Sequence, residues 1–193
     1  MRYSPEHKQE THERIVRAAS RHFRRRGARG IAIADLMKKL DLTHGGFYRH
    51  FGSKEQLLVE AVTNALEETA AGFEDAIVKG QAGCELKNII EQYLSPEHCA
   101  NLAEGCPIAA LATEIPRYPR AVRAKIDRAV REHFKRIARF LPRATESERE
   151  LDCVLLFSGM AGVLAEARLT ADPEQRNAIL RRAREFYTGA FCR

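Results

Sequence analysis

The stretch of residues 32–54, AIADLMKKLDLTHGGFYRHFGSK, constrains the fold more than any other part of this chain. Its first apolar side chains recur at i, i+3, i+4 and i+7, which is the spacing of one helix face: Ile33, Leu36, Met37 and Leu40. After a break at residues 41–42, Thr43 opens a second short helix that carries Phe47, Tyr48, His50 and Phe51. A helix, a tight turn and a second helix are the layout that places the second helix in the major groove of DNA.

The positive charge of the chain is concentrated at the same end. Residues 1–60 hold 13 Lys and Arg against 7 Asp and Glu, whereas the remaining residues hold 19 of each, so the whole net charge of +6 lies in the first segment. Five of the seven histidines are also there. This division indicates a polyanion-binding end joined to a neutral body. On charge alone, a solvated basic surface that binds nothing remains the alternative.

Composition narrows the class of protein. Apolar residues make up 45% and charged residues 30% of the chain, which is typical of a soluble, helix-rich protein. No run approaches the eighteen or so apolar residues of a membrane span, and the polar start MRYSPEHKQE lacks the apolar region of a secretory signal. The five cysteines include no CxxC or Cys/His pair at metal-ligand spacing. We therefore expect a cytoplasmic protein with free thiols, no metal, no cofactor and no membrane partner.

The rest of the chain reads as helices without alternating strand patterns. Capping boxes begin two long helices, at Ser53 with Gln56 and at Thr145 with Glu148. An amphipathic stripe runs from Val122 to Leu141 before Pro142 ends it. We predict an all-α fold of about nine helices. It divides into a three-helix helix-turn-helix DNA-binding domain, residues 1–52, and a helical effector-binding and dimerisation domain, residues 53–193.

Residues 27–58 resemble the DNA-binding domain of the TetR family of transcriptional regulators. The likeness lies in the run DLTHGGFYRHFGSKEQL, residues 41–57, with its Gly, aromatic, Tyr-x-His-Phe and Ser-Lys-Glu-x-Leu elements. Two positions depart from the family pattern. Ala32 stands where a capping Thr or Ser is usual, so one phosphate contact is expected to be missing. Asp41 replaces the turn glycine, and Asp tolerates a left-handed backbone better than most residues.

The resemblance and the residue chemistry together predict a DNA-binding surface. Tyr48 and His50 are expected to bond backbone phosphates, and His44 and Arg49 to reach a base edge or a phosphate. Phe47 is either a core residue or a contact to a thymine methyl group. Lys54 lies near the positive end of the next helix dipole, which favours a phosphate contact as its role. The predicted contact residues are Thr43, His44, Gly45, Phe47, Tyr48, Arg49, His50 and Lys54.

Cys106 is the residue of the body with the clearest chemical potential. If Pro107 begins a helix, Cys106 is its cap, where the helix N-terminus favours a thiolate. The run Gly105-Cys106-Pro107 is similar to a Gly-Cys pattern in some TetR-like repressors that respond to electrophiles or oxidants. A small buried hydrophobe is the alternative. A surrounding pocket could include Tyr93, Phe134, Phe157 and Met160, although helical spacing also fits core positions.

The last two helices are the predicted dimer interface. Small side chains on one allow close approach, and aromatic side chains on the other fill the space: Ser158, Gly162, Ala165, Phe186 and Tyr187. Packing inside one protomer is the alternative.

The features combine into one functional hypothesis. We expect a homodimeric repressor, not an enzyme, that is released from a near-palindromic operator in double-stranded DNA by a small-molecule or thiol-reactive effector. The alternatives are a cysteine-dependent enzyme that uses Cys106 as nucleophile, or an architectural DNA-binding protein with no effector.

Overall fold

A computed structural model describes residues 5–143 and 145–192. Within them the chain forms ten α-helices, one 3₁₀ turn at Ile115–Arg117 and no strand, which confirms the all-α prediction. The helices are α1 Pro5–Arg26, α2 Ile33–Lys38, α3 His44–Phe47, α4 Lys54–Lys79, α5 Glu85–Tyr93, α6 Pro96–Ala100, α7 Pro107–Leu111, α8 Arg120–Ala138, α9 Glu146–Leu169 and α10 Pro173–Phe191.

The N-terminal head consists of α1, α2, α3 and the first half of α4. Its core is built from one face of α1, which includes Ile15, Ala19 and Phe23, packed on Leu36 of α2 and Leu58 of α4. Removing these apolar surfaces from water supplies about 25 cal/mol per Å² of buried area. That burial is what holds two helices as short as α2 and α3 in place, because isolated helices of this length are unstable.

The turn between α2 and α3 has the predicted left-handed residue. Asp41 has φ 58° and is the one residue other than glycine with positive φ among the described residues. The backbone N–H of Leu42 then donates to the carbonyl of Met37 over 2.9 Å, which closes the turn. At the entrance of α2, Ala32 provides no side-chain cap, as its departure from the family pattern led us to expect.

The core of the head continues into residues that lie far along the chain. Leu111 at the end of α7 and Ile126 in α8 are buried in the same cluster as Phe23 and Leu58. The predicted domain boundary between residues 52 and 53 therefore does not mark the edge of the core of the head. The first half of α4 and the segment from α7 to the start of α8 belong physically to the head.

A second core fills the body between α4, α5, α8, α9 and α10. Fully buried Ile89, Tyr93, Leu156 and Met160 lie near its centre, and Phe73 of α4 joins it. The predicted capping box at Thr145 is present, since the Thr145 hydroxyl accepts from the Glu148 N–H and the Glu148 carboxylate accepts from the Thr145 N–H. None of the described helices is long and apolar enough to cross a membrane.

Candidate nucleic-acid interface and effector region

The recognition element is a single helical turn held by its cap. Thr43 is the N-cap of α3, and its hydroxyl accepts a hydrogen bond from the Gly46 N–H over 3.2 Å. The helix covers only residues 44–47, so the predicted aromatic residues 48, 50 and 51 lie in the turns that follow it. Two consecutive glycines cost about 1 kcal/mol each in helix stability, which explains the short helix.

The side chains of this turn point in two directions. His44, Tyr48 and Arg49 are exposed, with 64% of Tyr48 accessible, and the His44 and Tyr48 rings meet edge to face with centroids 5.7 Å apart. These three side chains form the outward surface of the helix-turn-helix. Because none of the three is buried in the core, all three can contact a ligand.

Phe47 lies on the other side. It is 1% exposed and stacks on Phe51 with ring centroids 5.2 Å apart. The core alternative is therefore the one the structure supports, and Phe47 is removed from the DNA contacts that we propose. Its burial fixes α3 against the head and leaves no face for a thymine methyl group.

The two adjacent glycines have different surroundings. A Cβ at Gly46 would lie 3.3 Å from the Thr43 hydroxyl oxygen, so the protein itself favours glycine there. A Cβ at Gly45 would meet no atom of the chain within 4 Å. Internal packing therefore gives no reason for Gly45, and the close approach of a ligand stays a prediction for this position.

Lys54 and His50 already have partners in the protein. The Lys54 ammonium donates to the carbonyl of Ile31 over 2.8 Å, which ties the loop before α2 to the start of α4. This bond gives a reason for a lysine in the first turn of α4 that does not require a phosphate contact. His50 is half-buried beside His12, and burial, followed by the charges of His12, Lys8 and Arg49, lowers its pKa. A neutral His50 can still donate one hydrogen bond to a phosphate.

Cys106 occupies the predicted cap position but is enclosed. It precedes Pro107, the first residue of α7, and only 3% of it is exposed. Its backbone N–H donates to Nε2 of His98 over 3.2 Å, while Nδ1 of His98 lies 2.5 Å from the carbonyl of Tyr93. Both contacts are satisfied by the neutral ring protonated at Nδ1. Burial lowers the pKa of His98, which agrees with that form.

This use of His98 argues against the enzyme alternative. A cysteine nucleophile needs a base that takes the proton of its thiol. The nitrogen of His98 nearest Cys106 instead accepts from the backbone N–H. His133, the other histidine of the body, is buried between Phe73 and Phe134. Among the described residues no group of three or more His, Cys, Asp or Glu could hold a metal ion.

The predicted pocket residues form a packed aromatic core. Tyr93 meets Phe157 edge to face with centroids 5.3 Å apart, and Phe134 lies 5.5 Å from Phe157. Met160 is fully buried in the same cluster. The structure thus supports the core alternative for all four residues. Burial, and next the Cys106 thiol, raise the pKa of Tyr93 well above its ordinary value.

A buried arginine that the sequence did not single out links the head to the body. The Arg24 side chain has no exposed surface; it pairs with Glu68 of α4 over 2.5 Å and donates to the carbonyl of Gly105 over 3.2 Å. Arg24 is one of several arginines in α1, and only the second stripe of Val16, Ser20 and Arg24 at four-residue steps distinguishes it. Sequence reasoning missed this stripe because two of its residues are polar.

A second polar link joins the same parts of the molecule. The Glu114 carboxylate accepts from the backbone N–H of Ala28 over 3.1 Å, at the turn where α1 ends. Gly27 there has φ +80°, and a Cβ on it would collide with the same carboxylate. The segment after Cys106 therefore caps the end of α1.

The surface of α9 and α10 combines small and large exposed residues. Ser158, Gly162 and Ala165 are exposed on α9, next to Leu151 and Leu155, which are each 63% exposed. On α10, Phe186 is 62% exposed. Tyr187 is half-buried against Gly159 within the protomer, so it supports this surface from behind.

A helix-turn-helix with an outward polar face, fused to a larger helical body, defines a DNA-binding regulator. Residues 15–61 match the family of bacterial regulatory proteins of the tetR type, and residues 82–186 match the tetracyclin repressor-like C-terminal domain. The chain belongs to the TetR family of DNA-binding transcriptional regulators.

Individual relatives agree with this assignment. An uncharacterised HTH-type transcriptional regulator of Mycobacterium tuberculosis (strain ATCC 25618 / H37Rv) is 36% identical over 104 residues, 53% of this chain and 52% of that protein. The regulator TtgR of Pseudomonas putida is 32% identical over 99 residues, 48% of this chain and 46% of that protein. The chain spans about half the length of these relatives.

Solved structures share the whole fold. A TetR transcriptional regulator from Chloroflexus aurantiacus has a TM-score of 0.72 at 25% identity and covers 94% of this chain and 96% of its own. The reduced form of NemR from Escherichia coli has a TM-score of 0.69 at 18% identity, covering 94% and 97%. The second likeness concerns the fold alone.

Proposed function

We propose that the chain is a homodimeric transcriptional repressor that binds a near-palindromic operator and leaves it when an effector acts on the body. The observation that carries the proposal is the exposed surface of α3 and of the turn after it, where the side chains of His44, Tyr48 and Arg49 are not part of the core. It lies in the segment that holds the whole net positive charge of the chain. A polar face on a basic head is what binding to a duplex requires.

Each residue of the face has a role that follows from its position. Thr43 and the N–H groups at the start of α3 face a phosphate, and Gly45 lets the backbone approach the groove. Tyr48 and His50 donate to phosphates. Arg49 and His44 reach a phosphate or a base edge, and Lys54 adds charge while it keeps its bond to Ile31.

Two copies of this head are needed for a useful operator affinity, because a single helix-turn-helix makes few contacts. The exposed face of α9 and α10 supports pairing of two protomers, since Leu151, Leu155 and Phe186 leave apolar area in water. Burial of such area on both partners is the usual source of homodimer stability. Ser158, Gly162 and Ala165 would allow α9 to approach its partner closely.

The effector would act where the body meets the head. Addition of an electrophile to the Cys106 sulfur would place new atoms in a site that is 3% exposed, so the neighbouring Gly105 and His98 would have to move. The carbonyl of Gly105 is a partner of Arg24 in α1. A shift there changes the position of α1 and hence the spacing of the two heads. A non-covalent effector would act on the same contacts by displacing the aromatic core around Phe157.

The experiment is a titration of operator DNA, taken from the promoter region of the chain's own gene, followed by fluorescence anisotropy. Arg49→Ala should weaken binding about tenfold and reduce the salt slope by about one, because one phosphate or base contact is lost. Arg128→Ala, an exposed arginine on α8 outside the proposed dimer surface, is the matched control and should change neither. Equal effects of the two substitutions, or affinity independent of salt, would refute DNA binding by this face.

The effector arm uses N-ethylmaleimide as the thiol-reactive probe. Treated wild-type protein should lose the operator, and treated Cys106→Ser protein should retain it. If both lose it equally, the thiol-reactive route through Cys106 is wrong and the small-molecule route remains. Uniform affinity for unrelated DNA sequences would favour the architectural alternative instead.

A further inference from the structure

Two cysteines outside the effector region lie at the ends of two helices that pack against each other, one at the start of α5 and the other at the end of α10. Cys84 is the N-cap of α5 and Cys192 is the C-cap of α10. Cys84 is half-buried and Cys192 is exposed, whereas Cys99, Cys106 and Cys153 are buried. The two accessible thiols of the described chain are therefore these two.

The register of the helices brings the two ends together. The Arg184 guanidinium on α10 donates to the carbonyl of Leu94, at the far end of α5, over 2.7 Å. From Leu94 back to Cys84 is a rise of about 15 Å, and from Arg184 on to Cys192 about 12 Å, at about 1.5 Å per residue. Antiparallel helices joined at Arg184 thus place Cys192 beside Cys84.

The electrostatics of Cys192 give an independent sign of this proximity. Burial is the main cause that raises the pKa of the Cys192 thiol; Cys84 raises it further, and Lys87 of α5 lowers it. Both neighbours belong to the first turn of α5 or its cap. The charges at the start of α5 therefore influence the Cys192 thiol, as the register of the two helices requires.

We propose that Cys84 and Cys192 form a reversible intramolecular disulfide, a redox modification site separate from Cys106. Both residues are at helix ends, where the backbone can adopt the Cα separation of about 4.4–6.8 Å that a disulfide needs. The bond fastens the end of α10 to the start of α5. The inference does not depend on the proposed function, because it involves neither the DNA surface nor the effector region.

The chemistry needs an oxidant, for which we name hydrogen peroxide. The Cys84 thiolate attacks one peroxide oxygen; the O–O bond breaks, the departing hydroxide takes the thiol proton as water, and the sulfur becomes a sulfenic acid. The Cys192 thiolate then attacks that sulfur; the S–S bond forms, the S–O bond breaks, and a second water leaves. Two thiols have lost two electrons and two protons. The balance is the same when Cys192 is oxidised first and Cys84 attacks it.

The test is peptide mapping of the full chain after peroxide treatment, alkylation of remaining thiols and digestion by trypsin without reduction. Trypsin releases GQAGCELK, residues 80–87, and EFYTGAFCR, residues 185–193. We expect these peptides linked, with the mass of their sum less two hydrogens. The link should be absent from Cys84→Ser and Cys192→Ser, and present in Cys106→Ser. Linkage of Cys192 to another protomer, or separate adducts on both cysteines, would overturn the proposal.

The Cys106→Ser control also separates this proposal from the thiol-effector route, which can fail while the link forms. A second readout is the thermal midpoint. A bond that closes a loop of about 100 residues should raise the midpoint by roughly 10–20 °C, reversed by dithiothreitol. Cys192→Ser should show no such rise. A linked peptide without a higher midpoint would mean that the native packing does not bring the thiols together, and would also overturn the proposal.

Discussion

Replacing Glu68 and replacing Arg24 both break the ion pair between them, but the two changes should destabilise the protein by unequal amounts. The Arg24 side chain is 0% exposed and that of Glu68 is 33% exposed. In Glu68→Ala the guanidinium stays buried without its counter-charge, and loss of one partner of a buried pair costs about 3–5 kcal/mol. In Arg24→Met the remaining carboxylate reaches water and keeps its bond from Asn64 at 2.9 Å. We expect a loss of about 1–2 kcal/mol there, mostly from the carbonyl of Gly105 that loses its donor.

The assay is urea unfolding followed by circular dichroism, at one protomer concentration because dimerisation adds a concentration-dependent term. A gap of about 2 kcal/mol corresponds to roughly 4–8 °C in the thermal midpoint for a chain of this size. The double variant Arg24→Met with Glu68→Ala should be more stable than Glu68→Ala alone, because it buries no charge. If Glu68→Ala costs no more than Arg24→Met, the reasoning from burial is refuted.

Three further outcomes follow from single contacts. Thr43→Ala removes the cap of the one-turn α3 and should cost about 1 kcal/mol and weaken operator binding in an anisotropy titration, while Thr43→Ser should not. Burial lowers the pKa of His133 to about 4, so between about pH 6.5 and 4 the unfolded chain binds a proton that the folded chain does not, and stability is lost as the pH falls through this range. In urea titrations at about pH 7 and 4.5, His133→Phe should remove about 2 kcal/mol of that loss. Leu155→Asp, on the exposed face of α9, should shift the mass in light scattering toward the monomer, whereas Leu169→Asp at the end of the helix should not.

Local signals in the sequence were sufficient for much of the head. Ser53 in the head and Thr145 in the body cap the helices that they were expected to begin, because caps depend on neighbours within one or two turns. The capping box at Thr145 is complete, whereas at Ser53 only half of the predicted box forms, since the Gln56 side chain accepts from the Gly52 N–H and not from the Ser53 N–H. The same dependence on near neighbours holds for Asp41, whose left-handed backbone is a property of a single turn. Tyr48 and Arg49 are exposed as a binding surface requires, although their contacts with DNA stay predictions.

The contacts across the molecule could not be predicted in this way. Lys54 was assigned to a phosphate from its place near a helix dipole, but the nearest acceptor is the carbonyl of Ile31, 23 positions earlier. Whether Phe47 is core or surface depends on which side of α3 faces the core of the head, and periodicity in a four-residue helix does not decide that. The partner of Arg24 is separated from it by 81 residues at Gly105. Such pairings arise from tertiary packing, which the local pattern does not contain.

The placement of Leu111 and Ile126 in the head core limits how an effector could act. The body cannot swing on a flexible hinge while these two side chains stay buried, because α4 runs unbroken through both cores for about 39 Å. In the mechanism that we propose, movement of the heads starts with a small shift of the segment from Gly105 to Ile126 against α1. Arg24 of α1 holds that segment at the carbonyl of Gly105, and Glu114 of the segment accepts from the N–H of Ala28. Cys106 directly follows Gly105 in the chain. A change at Cys106 thus lies one residue from a direct contact with α1.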